Sequence, residues 1–457
     1  MQVELTNPVT GEIAKRYENM SRNRVLAIAA RVGEAFVLWR ERSLSERAPL
    51  FREMAAVLRR RQERYAKLIT LEMGKPIREA RAEVEKCAWL AEVYADHAAD
   101  WLAEEEIAAD GRRHLITFEP LGVIISIMPW NFPFWQALRF AVPAVIAGNT
   151  CLLKHARNVP QCALAIEEAF REAGFPPDAF RTVFADHEVI GELVAGDQIQ
   201  GVSLTGSTEA GELIAEAAGR GLKKVVLELG GSDPFIVLED ADPAFTARQA
   251  VSGRMINAGQ SCIAAKRFIV VASLAEDFTR HFAAGLEALT VGDPLDEATQ
   301  VGPVVDERAL VELETQLARS VAAGAKVVTG GKRLSRPGCF FAPTLVTETT
   351  PEMPVMSEEV FGPIAPVIVV ADEAEAIAVA NQTPFGLGGS VWTRDLERGL
   401  RLARRIEAGT VFVNSIVKSD PRMPFGGIKK SGIGRELYKY GLREFVNIKG
   451  INIYEHG

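Results

Sequence analysis

The chain has 457 residues, of which 48% are hydrophobic and 25% charged, and a net charge of −8. That length exceeds one ordinary core and predicts two or three packed units, while the composition excludes a disordered or fibrous chain. The acidic balance, with no Lys/Arg block denser than short clusters such as Arg59 to Arg61, argues against nucleic acid as a partner.

The opening stretch MQVELTNPVTGEIAKRY lacks the basic segment, apolar run and small-residue cleavage site of a secretory signal. The longest apolar candidate, Leu121 to Trp135, is broken by Gly122, Ser126, Pro129, Asn131 and Pro133, so no membrane span is predicted. A cytoplasmic location follows as the expectation. Five cysteines (Cys87, Cys151, Cys162, Cys262 and Cys339) are an odd, sparse set that suits reduced thiols. With no CxxC and no HExxH, no metal site is expected.

In chain order, Ser45 to Leu102 reads as long amphipathic helices rich in Ala, Glu, Arg and Leu, whose charges are expected to form solvated faces. HLITFE (114–119) is strand-like. From Val123 short apolar runs alternate with helical patterns. VIISIM (123–128) precedes a helix from about Trp135, TCLLK (150–154) precedes a helix through 163–173, and 181–184 precedes a helix near 188–195. GVSLT (201–205) then leads to a helix over 207–218 and to KKVVLEL (223–229). This alternation predicts a parallel sheet covered by helices on both faces, with ligands beyond the carboxyl ends of its strands. A second series runs from PFIVLED (234–240) to TVFVN (410–414), which sets a boundary near Gly230 to Asp233. VNIKGINIY (446–454) is again strand-like; it and 114–119 are each too short to stand alone and are predicted to pair with each other or across subunits.

Five segments put a reactive or polar residue where a strand ends or a loop turns: PWNFP (129–133), LTGSTEAG (204–211), ELGGSDP (228–234), NAGQSC (257–262) and EEVFGP (358–363). Together, and in this order, they resemble the aldehyde dehydrogenase superfamily. KHARNVPQCALAI (154–166) and PFGGIKKSGIGRE (424–436) resemble its succinate semialdehyde dehydrogenase-like branch. The resemblance implies an α/β fold with a Rossmann-type cofactor domain (1–101 and 122–232), an α/β catalytic domain (233–430) and a small β-ribbon oligomerisation domain with its arm (102–121 and 443–457). It also implies a homodimer or homotetramer, and a small-molecule aldehyde as substrate.

A lone cysteine is usually a small core residue, but Cys262 follows a Gly259, Gln260, Ser261 turn between a helical pattern and a strand, where a thiol can meet ligand. The resemblance makes it the nucleophile that forms a thiohemiacetal and then a thioester. Asn131, which otherwise only turns the chain between two prolines, is implied to support the oxyanion. Glu228 ends an apolar strand, where an ionised side chain is costly unless a backbone partner satisfies it; the resemblance makes it the general base for thioester hydrolysis.

For the cofactor the chain has no GxGxxG but offers Gly206 and Ser207 at a predicted helix N-terminus, where Ser207 is either a plain N-cap or a pyrophosphate contact. By resemblance Trp130 belongs to the cofactor set, Glu359 binds the nicotinamide-side ribose with Phe361 beside the ring, and Lys154 binds the adenine-side ribose. Where NAD-preferring relatives carry a glutamate this chain has Arg157, a cation suited to a 2′-phosphate, so NADP is expected to serve at least as well as NAD unless Arg157 points to solvent.

Arg139 lies on the apolar stretch WQALRFAV and needs an anion, either a substrate carboxylate or an internal partner. The resemblance assigns it, with Ser419 and the neighbouring Arg422, to the distal carboxylate of succinate semialdehyde. Two departures stand against a full match: Ile256 occupies the place of a second branch arginine, and Ala264 that of a second cysteine used in some members as a disulfide switch. Two rival readings remain, a broad-specificity aldehyde dehydrogenase and a cofactor-binding structural protein without turnover.

Overall fold

A computed structural model describes residues 2–455. The chain builds two large α/β units. The first has a six-stranded sheet in which five strands, Val123–Met128, Thr150–His155, Phe180–Thr182, Gly201–Thr205 and Lys224–Glu228, run parallel. Val123–Met128 sits centrally, pairing with Thr150–His155 on one side and Gly201–Thr205 on the other. Its near-continuous apolar sequence is what a strand covered on both faces requires.

One face is covered by the helices Leu44–Arg60, Gln62–Met73, Ile77–Trp101, Pro133–Ile146 and Pro160–Glu172, whose buried side chains join Ile124 and Leu153 in one core. On the other face Val25, Ile28 and Val32 of the helix Arg22–Trp39 pack against Ile125, Leu152 and Val202. Local chemistry sets the helix starts: Pro133 and Pro160 occupy the first turn, where no N–H is needed, and Ser43 with Glu46 forms a capping box.

The chain leaves the first sheet at Glu228 and enters the second at Asp233. The second sheet has seven strands, with Asp233–Val237 between Ala265–Val271 and Gly388–Trp392. It too is buried on both faces, by one cluster around Phe235, Phe268 and Phe282 and another around Ile236, Ile269 and Leu313. The chain then returns to the first sheet, where Gly432–Ile433 pairs antiparallel with Leu227 and Glu228. A third sheet joins Glu105–Ile107, Arg113–Pro120 and Val446–Ile453, the last two antiparallel over eight residues from Val446↔Pro120 to Ile453↔Arg113. The two strand-like pieces thus pair with each other.

Some elements escaped the sequence reading. The hairpin Gln2–Thr6 with Ile13–Glu18, the helix Arg22–Trp39 and the two-residue strand at Gly432 are additions. The helix predicted from Trp135 starts at Pro133, and the strand predicted over 181–184 runs Phe180–Thr182. No helix among the described residues is long and apolar enough to cross a membrane.

Candidate active site

Cys262 lies in the link between the helix Pro243–Met255 and the strand Ala265–Val271. The link is strained: Asn257 (φ 52°), Ala258 (φ 53°) and Gly259 (φ 76°) are successive left-handed residues, each costly for a side chain other than glycine. Gly259 is required for space as well, since a Cβ there would stand 2.3 Å from the Gly362 carbonyl oxygen. Hydrogen bonds hold the loop. Asn257 N–H donates to Glu79 (2.8 Å), Asn257 Nδ2 to the carbonyls of Asn131 (2.8 Å) and Gln260 (3.1 Å), and Val305 N–H to Gln260 Oε1 (2.8 Å).

The half-buried Cys262 side chain faces a cavity of about 220 Å³. Phe132, Trp135, Ile256, Ile263, Ile416 and Phe425 supply apolar wall; Arg139, Lys86, Lys418 and Ser419 supply donors; Glu79 and Glu83 complete the ionisable set. Burial pushes the Cys262 thiol up to about 12, against the pull of Arg139 and Lys266. The resting group is therefore a thiol, and attack on a carbonyl needs a proton acceptor.

Glu228 is the group equipped for that. It is 2% exposed at the end of Lys224–Glu228, and among the described residues neither carboxylate oxygen has a hydrogen-bond partner. The backbone partner that a purely structural glutamate would need is missing. Burial raises its pKa to about 8, Arg139 opposing and Glu436 adding to the rise. A carboxyl of raised proton affinity whose charge is felt at the thiol is suited to moving protons near neutral pH.

Asn131, 3% exposed, donates from Nδ2 to the Gln260 carbonyl at 3.1 Å. It both turns the chain and tethers the loop two residues before the thiol.

The cofactor candidates lie at strand ends and on the neighbouring loops. Ser207 is the N-cap of Thr208–Arg220, accepting from Ala210 N–H at 3.2 Å, and Gly206 N–H donates to the Glu228 carbonyl (3.0 Å). Lys154, buried near the carboxyl end of its strand, has its pKa lowered first by burial and then by the charge of Arg157. Arg157 is half-exposed and donates to Asp186 at 3.0 Å rather than pointing only to solvent. Trp130 and Phe361 meet edge to face at 5.8 Å beside a cleft of about 200 Å³. Glu359 is not a bare surface carboxylate: it pairs with Lys266 Nζ (2.5 Å) and accepts from Gly231 N–H (3.1 Å). Lys266 also donates to the carbonyls of Gly231 (2.7 Å) and Cys262 (3.1 Å), tying this carboxylate to the nucleophile loop. An anchored helix N-terminus, two adjacent cations and an aromatic pair fit a phosphorylated dinucleotide.

Two of the substrate candidates have internal partners. Arg422 is absent from the cavity wall; it is exposed, donates to both oxygens of Asp420 (2.9 and 2.7 Å) and stacks 5.1 Å from Trp89. Arg139 does reach the cavity, but its guanidinium is committed to the buried Glu436 carboxylate and lies 4.7 Å over Phe425. Its anion is internal. Ser419 lines the cavity and accepts from Lys86 Nζ at 2.7 Å. Lys86 was hidden among the helix charges expected to face water. Among the described residues no cluster of His, Cys, Asp or Glu could hold a metal ion, and all five cysteines are free.

Comparison with known proteins gives the family. Residues 1–451 match the model of the aldehyde dehydrogenase family. A probable NADP(+) succinate-semialdehyde dehydrogenase of Synechocystis sp. is 49% identical over 451 residues, covering 99% of each chain. An NADP(+) succinate-semialdehyde dehydrogenase of Mycobacterium bovis is 45% identical over 459 residues, again 99% of each. Among solved structures, a succinic semialdehyde dehydrogenase from Streptococcus pyogenes in complex with NADP+ superposes with a TM-score of 0.97 at 36% identity, covering 99% of this chain and all of that one. A succinate-semialdehyde dehydrogenase from Burkholderia pseudomallei gives a TM-score of 0.97 at 34% identity, covering 100% of this chain and 95% of that one. With the family model spanning nearly the whole chain and the relatives matched end to end, this chain belongs to the aldehyde dehydrogenase family.

Proposed function

We propose that the enzyme oxidises succinate semialdehyde to succinate with NADP as the preferred hydride acceptor, NAD serving less well. The observation that carries this reading is the cavity facing Cys262, whose apolar walls suit a short methylene chain and whose basic side chains and serine suit a terminal carboxylate. The relatives from Synechocystis sp. and Mycobacterium bovis are named for that activity.

The steps follow from the side chains. Cys262 Sγ bonds to the carbonyl carbon as its proton leaves toward Glu228 in its ionised form. The Asn131 amide and the Cys262 backbone N–H are the donors for the oxyanion. When bound, the nicotinamide supplies the acceptor for the hydride released from that carbon, and a thioester on Cys262 results. Once it has passed the first proton to solvent, Glu228 takes a proton from water, which attacks the thioester; the C–S bond breaks, the acid departs and the proton held by Glu228 restores the thiol. Trp130, Lys154, Arg157, Gly206, Ser207, Glu359 and Phe361 are the residues assigned to hold the cofactor, with Lys154 and Arg157 toward a 2′-phosphate.

The same reading divides the chain into a cofactor domain (1–101 and 122–232), a catalytic domain (233–430) and a ribbon with its arm (102–121 and 443–457). Assembly as a homodimer or homotetramer is supported by Val446–Ile453, an edge strand that exposes Ile448, Ile451 and Ile453. A cytoplasmic location belongs to this proposal.

A kinetic panel of succinate semialdehyde, butanal and benzaldehyde with NADP and with NAD tests it. The highest kcat/KM is expected for succinate semialdehyde with NADP. Equal values for butanal would contradict the substrate, and a clear NAD preference would contradict the cofactor.

A further inference from the structure

Lys266 leaves the strand Ala265–Val271 with a side chain only 1% exposed, and it takes no part in the steps above. All three of its ammonium donors are occupied, and each goes to a different part of the chain. One reaches the carbonyl of Gly231 in the link between the two large sheets (2.7 Å), one the carbonyl of Cys262 itself (3.1 Å), and one Glu359 Oε1 (2.5 Å). The same Glu359 oxygen accepts from Gly231 N–H at 3.1 Å, and a Cβ on Gly230 would stand 2.3 Å from the other oxygen. The carboxylate is thus packed between the link and the ammonium.

The backbone around Glu359 is fixed independently. Arg254, fully buried on the helix that leads to the nucleophile loop, donates to the carbonyls of Val360 (3.0 Å), Gly362 and Ile364 (2.7 Å). Gln316 Nε2 donates to the Glu359 carbonyl (3.2 Å). With that backbone held, Lys266 governs where the Glu359 side chain points. At its other end Lys266 holds the carbonyl of the residue whose sulfur attacks. Charge follows the same connection. Burial is the first cause of the raised pKa of the Cys262 thiol; Arg139 and Lys266 oppose it, and Glu228 and Glu359 add to it. A buried cation and a carboxylate joined in a pair hold each other's charge in check, and removing either leaves the other uncompensated.

We infer that Lys266 is a positioning residue for the reaction: it locks the Cys262 peptide, the link between the sheets and the Glu359 carboxylate into one unit, so that the nucleophile and the cofactor carboxylate share a single charge balance. The inference rests on the reading of Cys262 as nucleophile and Glu359 as cofactor ligand.

The test is the rate of iodoacetamide alkylation at pH 8, without cofactor or substrate. Cys262 is half-buried and the other four cysteines are buried, so Cys262 is the fast-reacting thiol, which its loss in Cys262→Ala verifies. Lys266→Met leaves Glu359 uncompensated and is expected to slow alkylation by roughly fivefold. Glu359→Gln leaves Lys266 uncompensated and is expected to speed it by a similar factor, and the double variant should return close to the wild-type rate. In Lys266→Met, kcat/KM for the best aldehyde substrate at saturating NADP should fall with the alkylation rate, and Lys266→Arg, which keeps the charge, should recover much of both. Changes in the same direction in the two single variants overturn the inference, because a packing role gives no opposed signs. An unchanged rate in either variant, or slower alkylation with unchanged kcat/KM in Lys266→Met, overturns it as well. Should Lys266→Met fail to fold, Glu359→Gln decides by the same criterion, faster alkylation supporting the inference and an equal or slower rate overturning it. Alkylation needs neither cofactor nor substrate, so this outcome is separate from the mechanistic reading, which fails if Cys262→Ala retains turnover.

Discussion

The reacting centre and the rim of assigned binding residues are built on opposite electrostatic plans. At the centre, Glu228 keeps both oxygens without hydrogen bonds among the described residues, and burial first, with neighbouring carboxylates adding to it, drives its pKa and that of Cys262 upward. Around it, Arg139 is paired with Glu436, Glu359 with Lys266, and Arg157 with Asp186. The difference separates two tasks. A group that moves protons is tuned by withholding partners, whereas these three groups around it are held in place by ion pairs.

The largest expected effect therefore belongs to the unpartnered carboxyl. Glu228→Gln is expected to lower kcat by roughly 10²- to 10⁴-fold, the range for loss of a general base, while retaining the amplitude of a first-turnover burst of reduced cofactor, formed more slowly because the thiol proton must then pass to water. Stability should move the other way. Because the folded-state pKa is raised to about 8 from the ordinary 4.5, the fold keeps a proton that the unfolded chain releases, and stability falls as pH rises through that window. The variant lacks this loss, so its Tm advantage over wild type should be absent near pH 4 and grow toward pH 8, as read by calorimetry. A constant difference across that range would mean that Glu228 is not held protonated.

A smaller effect is expected at the rim. Arg157→Glu should shift the NADP over NAD ratio of kcat/KM by about tenfold or more toward NAD, since a cation suited to a phosphate becomes a carboxylate suited to ribose hydroxyls. An unchanged ratio would make the Asp186 pair its whole role. The smallest belongs to Arg422, paired and outside the cavity. Arg422→Ala should change KM for succinate semialdehyde by less than about twofold, in keeping with the small energy of exposed ion pairs; a tenfold rise would restore it to the site.

Much of this arrangement was legible in the residue order, for identifiable reasons. Short segments such as VIISIM and GVSLT have the length and the β-branched content of buried strands and are followed by helical patterns, and both lie in the parallel sheet. The Cys262 loop was visible because glycine and polar residues interrupt a helix just before a strand. What stayed hidden depends on partners distant in sequence. Nothing near Arg139 announces Glu436, and Lys86 sits among helix charges whose ordinary fate is solvent. The strand Ile13–Glu18 is almost wholly exposed and lacks an apolar alternation, and Gly432–Ile433 is too short for any pattern.

The central claim is that Cys262 carries the acyl group and Glu228 releases it. Intact-protein and peptide mass spectrometry of Glu228→Gln, quenched after one turnover with succinate semialdehyde and NADP, tests it directly. The account predicts one succinyl group in thioester linkage, mapped to Cys262 and lost when Cys262→Ala is added. Reduced cofactor formed in one turnover with no acyl group on the protein, or an acyl group on another residue, would contradict it.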